Sequence, residues 1–586
     1  MTSSRVLNQA GGALGLTLFL LLGCNALVGL DKLEVQPANS AGSSSGGQPG
    51  EDGGMDGKAG KGGKSNSEAG TGSIPDGPAG EGGMGGEVDS GDCSTNQECT
   101  DRFSGQAQGE AGAGATVVPG ACIKAPVPHC VKLLSEDCAS ITGDYTNNQA
   151  IFVGSLFTLT GQTASTNLNR QKAAALGIEQ INMGGGVPSG NTSAGARPLV
   201  MVHCDESTNL VRAATHLVND LHVPAIVGPN TSQDTLDVSM KSTVPGGTVV
   251  MTPTGVASSI AALSDNDLTW MMAPSDVQRA PLMIDQLGAM EAQLKADRGQ
   301  STINLGIVFR NDALGIGTRT ALNDLTVNGK PLANNEHVRI DPYNGADADQ
   351  QTLVEKYLTF LPDIVVLAGT AESITKILVP LEAQWPQNDN NQDLTPRPYY
   401  MLIDSNRVTE LTNAANGNGH DLARRVRGTG LAAGMMGTDT YDTNELFKTD
   451  FQIRYDDKKS ASISGMGASH DAAYAIGLAL AATRTQPVSG ASVAEGLRKL
   501  AGGATKLKAT GTNVLPAFQK LAAGETITAI GTYGLLDWDA NGAVKGGTIE
   551  MWCIGGPPGN TAYASSGLYF DLASQTKSGS YTPCTP

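Results

Sequence analysis

Thr231, Ser232 and Gln233 follow the apolar run Ala225–Val227 after a Gly-Pro-Asn turn, and Thr254 follows the apolar run Val249–Met251. Hydroxyls and amides at the start of a helix suit reversible binding, because the unpaired N–H groups and positive dipole end there favour an anion or a polar group. The structural alternative is that Thr231 or Ser232 serves only as an N-cap, a role that contributes about 1 kcal/mol. Motifs for covalent chemistry are lacking: the sequence holds no His-Glu-x-x-His pair, no Gly-x-Ser-x-Gly elbow and no Walker loop. Gly315-x-Gly317 is half of a dinucleotide fingerprint and reads as a strand-to-helix turn. His203 beside Cys204 could mark a metal or thiol site, but at a strand end a disulfide with packing accounts for both, and His470-Asp471 reads as a helix start. The expected chemistry is therefore binding without catalysis, with no cofactor and no metal.

The elements that position these residues alternate. Leu199–Val202, Ala225–Val227 and Val249–Met251 are short, β-branched runs of the kind found in strands covered on both faces. Leu210, Ala214, Leu217 and Leu221 recur between the first two at helical spacing. In open parallel sheets ligands bind beyond the carboxyl ends of strands, which places Thr231, Ser232, Gln233 and Thr254 at one mouth. Before this stretch, a strand is expected over 150–159 and a helix over 171–182. After it come helices over 281–296, 317–325, 348–358 and 373–381, and strands over 304–309, 337–339, 364–368 and 399–403. Helices over 471–485 and 492–500 follow. Two blocks of β-α alternation predict an α/β protein of two doubly wound lobes, with Met272-Ala273-Pro274-Ser275-Asp276 as a crossing point.

The order of several segments carries a family resemblance. IFVGSLFTLTGQTASTNLNRQKAAALGIEQINMGGG, CDESTNLVRAATHLV, IVGPNTSQDT, MTPTG, MAPSD, NDALGIGTRTAL, HDAAYAIGLALA and the closing GLLDWDANG together resemble the landmarks of type I periplasmic binding proteins. Among these the sequence is most similar to the branched-chain amino-acid (leucine/isoleucine/valine) receptors of ABC transporters. The resemblance implies Rossmann-like lobes joined by three hinge strands and closing on a solute. It implies lobe 1 over 149–274 and 429–530, lobe 2 over 275–428 and 531–553, and a C-terminal extension over 554–586. It also implies that Ser232 and the Thr254-Gly255-Val256 turn grip a ligand carboxylate, and that Asp404 or Ser405 receives an amine. Asp404 could equally be a turn or helix cap. At positions where the family commonly places aromatics over the ligand, this chain has Thr166, Leu314 and Ala371.

The N-terminal residues read differently. Arg5 precedes the apolar run Ala13–Leu22, which ends in Leu21-Leu22-Gly23-Cys24. This is similar to the lipobox of bacterial lipoproteins, and implies a signal over 1–23, a lipid on Cys24 and anchorage to a membrane, with Asn25 favouring the outer membrane. An ordinary secretory signal is the alternative. Residues 24–91 are rich in Gly, Ser and Asp, too poor in apolar side chains to offset ordering, and form a tether reaching on the order of 40 Å.

A small disulfide-rich module is expected over 92–148. Nine cysteines are present, and with Cys24 set aside Cys93, Cys99, Cys122, Cys130, Cys138, Cys204, Cys553 and Cys584 remain, an even number that suits disulfides in an exported chain. About 105 pairings exist for eight cysteines. Five cysteines in the module cannot all pair internally, so Cys204 is the natural outside partner and Cys553 with Cys584 would close the tail. The gaps of five, twenty-two, seven and seven residues do not match zinc-knuckle spacing.

A net charge of −18 argues against a nucleic-acid partner. The function that follows is an exported, lipid-anchored receptor that binds a small polar solute, such as an amino acid or a related amide or acid. It would present that solute to an ABC permease or sensor on a separate chain. The alternative is a surface lipoprotein that keeps the fold for protein interaction.

Overall fold

A computed structural model describes residues 88–89 and 92–584, apart from 111–116, 125, 162, 191–194, 346–348, 418–420 and 458–459. The signal, Cys24 and almost all of the tether lie outside the described residues.

Two sheets organise the chain. The first has six strands in the order Thr269–Met271, Val249–Thr252, Ala225–Val227, Ile151–Phe157, Leu199–Asp205, Cys138–Thr142. Five run parallel and Cys138–Thr142 is antiparallel at the edge. Every residue of Ile151–Phe157 is buried, as a strand with helices on both faces requires. The second sheet has eight strands in the order Val338–Tyr343, Leu305–Arg310, Ile364–Ala368, Tyr399–Leu402, Val426–Ala432, Thr548–Gly555, Ala562–Asp571, Thr576–Ser578. Its first five are parallel and its last three antiparallel. The chain therefore passes between the lobes three times: after Met271, after Ala432 and after Val544.

The helices over the first sheet pack closely because small residues let them. Met466–Ala482 is buried from Met466 through Ala481, the pattern of a helix apolar all round, and it lies along Ala164–Met183. A Cβ at Gly477 would sit 2.2 Å from Cδ1 of Ile181, and one at Gly177 would sit 3.0 Å from the His470 carbonyl. Both helices start several residues before the apolar stripe that predicts them. The helix Asp439–Tyr455 is not anticipated at all: it is strongly polar and buries only Thr443, Asn444, Phe447 and Phe451.

Two segments sit elsewhere than the resemblance implies. Thr429–Ala432 completes a strand of the second sheet and pairs with Thr548–Met551. Leu536, Trp538 and Val544 join the core of the first lobe, where Trp538 packs edge-on against Trp270 at 5.3 Å. The C-terminal extension supplies two further antiparallel strands, 562–571 and, at the edge of the sheet, 576–578.

The cysteines pair as Cys93–Cys122, Cys99–Cys130, Cys138–Cys204 and Cys553–Cys584. Sγ atoms of Cys93, Cys99 and Cys122 cluster, but as disulfide sulfurs they have no thiolate to offer a metal. The module is fused to the first lobe: Ala121, Val131 and Leu133 share a core with Val202 and Leu217, and Arg212 holds Asp137 through two bonds of 2.6 and 2.7 Å.

His203 lies beneath this junction, with Nδ1 2.7 Å from Ser155 Oγ and Nε2 2.8 Å from Thr142 Oγ1. Burial pushes its pKa down to about 4, so the unfolded chain takes up the proton first. Stability from the neutral imidazole is complete above about pH 6.5 and is lost as pH falls toward 4, by up to about 3 kcal/mol. Urea unfolding of wild type and His203→Asn across this range checks it: the variant should show the shallower decline, and parallel declines would refute it.

Candidate functional site

The carboxyl ends of both parallel sheets face a common cavity of about 820 Å³. On the first-lobe side, Thr231 caps the helix Ser232–Val238 by accepting from Asp234 N at 3.1 Å. Ser232 Oγ accepts from Val256 N at 3.0 Å and Ala257 N at 3.1 Å. Thr254 Oγ1 donates to the Asn230 carbonyl at 2.7 Å, and Gly255 N donates to Thr252 Oγ1 at 3.0 Å. The hydroxyls of Thr231 and Thr254 and the Gly255 amide thus donate within the wall, while Ser232 keeps its own O–H to donate.

The second-lobe side is less complete. Asp404 opens the turn Asp404–Asn406 after the strand Tyr399–Leu402 and is buried. Its Oδ2 accepts from Ser464 Oγ at 2.6 Å, a bond that crosses from one lobe to the other, while Oδ1 has no hydrogen-bond partner. Ser405 Oγ donates to the Gly369 carbonyl at 2.7 Å. Leu314 stands on the helix Ala313–Ala321, which packs against the first lobe through Ala313 and, within the second, runs so close to Asp276 that a Cβ at Gly317 would clash with its Oδ2.

Of the residues singled out from the sequence, Thr166, Thr231, Ser232, Thr254, Val256, Leu314, Asp404 and Ser405 lie on the cavity wall. Gln233 does not: it points to solvent with its amide 3.5 Å from Asp237. Gly255 is buried behind Thr252 and does not line the cavity.

Sequence reasoning passed over the arginines. Arg170, Arg279, Arg310 and Arg407 all line the cavity. Arg310 is paired with Asp312 and Glu372, and Arg407 with Glu550. Arg170 donates from Nε and Nη2 to the Ser464 carbonyl and from Nη1 to Asn167 Oδ1, and burial pushes its pKa down to about 10 against the pull of Asp404. Gly465, at φ +84°, permits this approach, since a Cβ there would lie 2.9 Å from Arg170 Nε. Arg279 is lowered likewise by burial, with Asp404 and Asp276 opposing. The spacing Asn167-x-x-Arg170 on one helix face was the available signal. Tyr563, from the C-terminal strands, is the one aromatic on the wall among the described residues; its hydroxyl donates to the Val408 carbonyl at 2.6 Å.

No family model matches this chain, and no curated protein matches it. Solved structures do share its architecture. One is the leucine-binding protein LivK from Thermotoga maritima, with a TM-score of 0.50 at 14% identity, covering 71% of this chain and 98% of that one. Another is a solute-binding protein of an ABC transporter from Rhodopseudomonas palustris BisB5 in complex with 3,4-dihydroxybenzoic acid, with a TM-score of 0.50 at 14% identity, covering 72% and 98%. The chain has the type I periplasmic binding protein fold. Both neighbours are described as binding proteins, one for leucine and one in complex with an aromatic acid. At this identity the likeness is one of fold, and the cavity's chemistry must be argued from its own residues. Among the described residues no helix is long and apolar enough to cross a membrane.

Proposed function

We propose that this chain is an extracytoplasmic solute-binding lipoprotein, held to the bacterial envelope by a lipid on Cys24, that captures a small polar solute between its lobes. The solute is an amino acid or a related amide or acid, and the closed form is presented to an ABC permease or a sensor on a separate chain. One observation carries the reading: the interlobe cavity of about 820 Å³ is open and is walled by polar and charged side chains of both lobes, Ser232 and Thr254 on one side and Asp404 and Arg279 on the other. An open cavity also favours solute capture over the interaction-protein alternative, which is best served by a cleft filled with its own side chains. The Leu21-Leu22-Gly23-Cys24 sequence supports the anchor.

Thermal-shift screening of the full chain against amino acids, amides and small organic acids tests the reading. A saturable rise in Tm is expected with one solute class, since a ligand at a hundred times its Kd stabilises by about 2.7 kcal/mol. No shift across a broad library would sink it. In cell fractionation the chain should sediment with membranes and Cys24→Ser should free it; an unchanged distribution would remove the lipid anchor from the proposal.

A further inference from the structure

Two of the four arginines on the cavity wall have no ion pair. Arg310 and Arg407 are matched by carboxylates within 3.2 Å, whereas neither Arg170 nor Arg279 has a carboxylate oxygen within 4.0 Å among the described residues. Arg170 still spends three donors on Ser464 and Asn167. Arg279 spends one: Nε donates to the Pro274 carbonyl at 3.0 Å, and its two Nη groups make no hydrogen bond to the described residues. The residue is only 8% exposed and lines the cavity. A guanidinium removed from water without a counterion is costly, and a hydrophobic residue of similar size would be cheaper at such a place. Its free Nη pair presents the planar fork that matches a carboxylate through two parallel bonds.

The opposite wall offers a neutral anchor. Ser232 Oγ receives the amides of Val256 and Ala257 and keeps its own O–H to donate, whereas Gly255 N is taken by Thr252 and Thr254 donates to Asn230. A neutral hydroxyl is a weaker partner for a carboxylate than a charged guanidinium fork.

Resting on the solute-binding reading above, we propose that the solute is a small carboxylic acid whose carboxylate is held by the Nη groups of Arg279, with a hydroxyl or ammonium of the same molecule donating to the Asp404 carboxylate. Arg279 and Asp404 come from different parts of the second lobe, and both stand beside lobe-crossing structure. Arg279 Nε grips Pro274 within the first crossing segment, and Asp404 Oδ2 receives Ser464 from the other lobe. A solute bridging the two side chains therefore couples its own capture to both connections. Arg170, near Asp404, adds positive charge to the same end of the cavity.

The test uses the full chain with paired probes: L-leucine and L-leucinamide, lactate and lactamide, 3,4-dihydroxybenzoate and its amide. At least one acid is expected to raise Tm while its amide does not. Arg279→Met should weaken that acid by about 100-fold while raising the ligand-free Tm by on the order of 2 °C, since it removes an unpaired buried charge. Arg279→Lys should retain part of the affinity. An amide that binds as well as its acid, or an Arg279→Met chain that binds normally, overturns the inference and leaves solute capture standing. So does a ligand-free Tm that falls in Arg279→Met, which would make the guanidinium a structural part. Binding of none of the acids, with hits elsewhere in the wider solute library, overturns the inference alone; silence throughout that library overturns solute capture as well.

Discussion

Glu382→Gln should cost the protein about 3–5 kcal/mol of unfolding free energy, because it removes the carboxylate charge that two buried guanidinium groups share. Glu382 is 2% exposed and lies within the short helix Val379–Ala383. Its Oε1 accepts from Arg425 Nη1 at 2.8 Å and Tyr400 Oη at 2.7 Å, and its Oε2 accepts from Arg425 Nη2 at 2.6 Å and Arg397 Nη1 at 3.1 Å. After the substitution Arg397 keeps Asp393, and Arg425 keeps the Pro398 carbonyl at 2.7 Å and the face of the Tyr400 ring. The Tyr400 phenol, raised in pKa first by burial and then by Glu382, stays protonated and continues to donate. Gln keeps the shape, so the loss reports charge. Urea titration followed by circular dichroism measures it, and a change below about 1 kcal/mol would show that the cluster relaxes or admits water. The exposed pair Lys520–Glu525 gives the contrast, since screening by solvent leaves such pairs worth about 0–1 kcal/mol.

The second large effect concerns Cys138–Cys204. This bridge spans 66 residues of sequence and joins the antiparallel edge strand Cys138–Thr142 to Leu199–Asp205. Loop-closure entropy for a ring of that size is about 4 kcal/mol, and removal of native bridges commonly costs about 2–5. Both cysteines are fully buried, so Cys138→Ala with Cys204→Ala removes sulfur packing too. The double variant should melt several degrees lower, and amide exchange should accelerate first in 138–142. The Asp137–Arg212 pair and the core contacts of Val131 and Leu133 remain, which sets a floor under the loss. A melting curve superimposable on wild type would mean that these contacts already hold the module without the bridge.

How much of this was legible in the sequence varies with the kind of residue. Strands such as Leu199–Asp205 are continuous apolar runs because both faces are covered, and such runs announce themselves. The helix Asp439–Tyr455 does not, since it rests on the protein by a narrow stripe through Thr443, Phe447 and Phe451 and exposes the rest. The strand Ala562–Asp571 alternates only weakly between buried and exposed, so neither it nor Tyr563 reads as part of a sheet or a pocket. In the site, Ser232 and Asp404 are found by their place at the ends of strands. What their hydroxyl and carboxylate bond to is set by segments far off in sequence, Val256 and Ala257 for the one and Ser464 for the other. Arg279 is harder still. A charged residue in the first turn of a helix ordinarily faces water, and only the meeting of two lobes turns it inward.

The strand orders bear on how the molecule can be assembled. The first lobe's core needs Met466–Ala482 and Trp538 against strands that begin at Ile151, and the second sheet needs Thr548–Gly555 beside Val426–Ala432. Neither lobe is a continuous stretch of chain, so neither can be finished while its later pieces are still being synthesised. A ribosome-bound or half-translocated chain would hold both cores unfinished, with Val426–Ala432 lacking its neighbour and apolar faces uncovered. Such intermediates are prone to stick to one another. The topology thus favours a chain kept unfolded until nearly all of it has been delivered, and released to fold in one cooperative event.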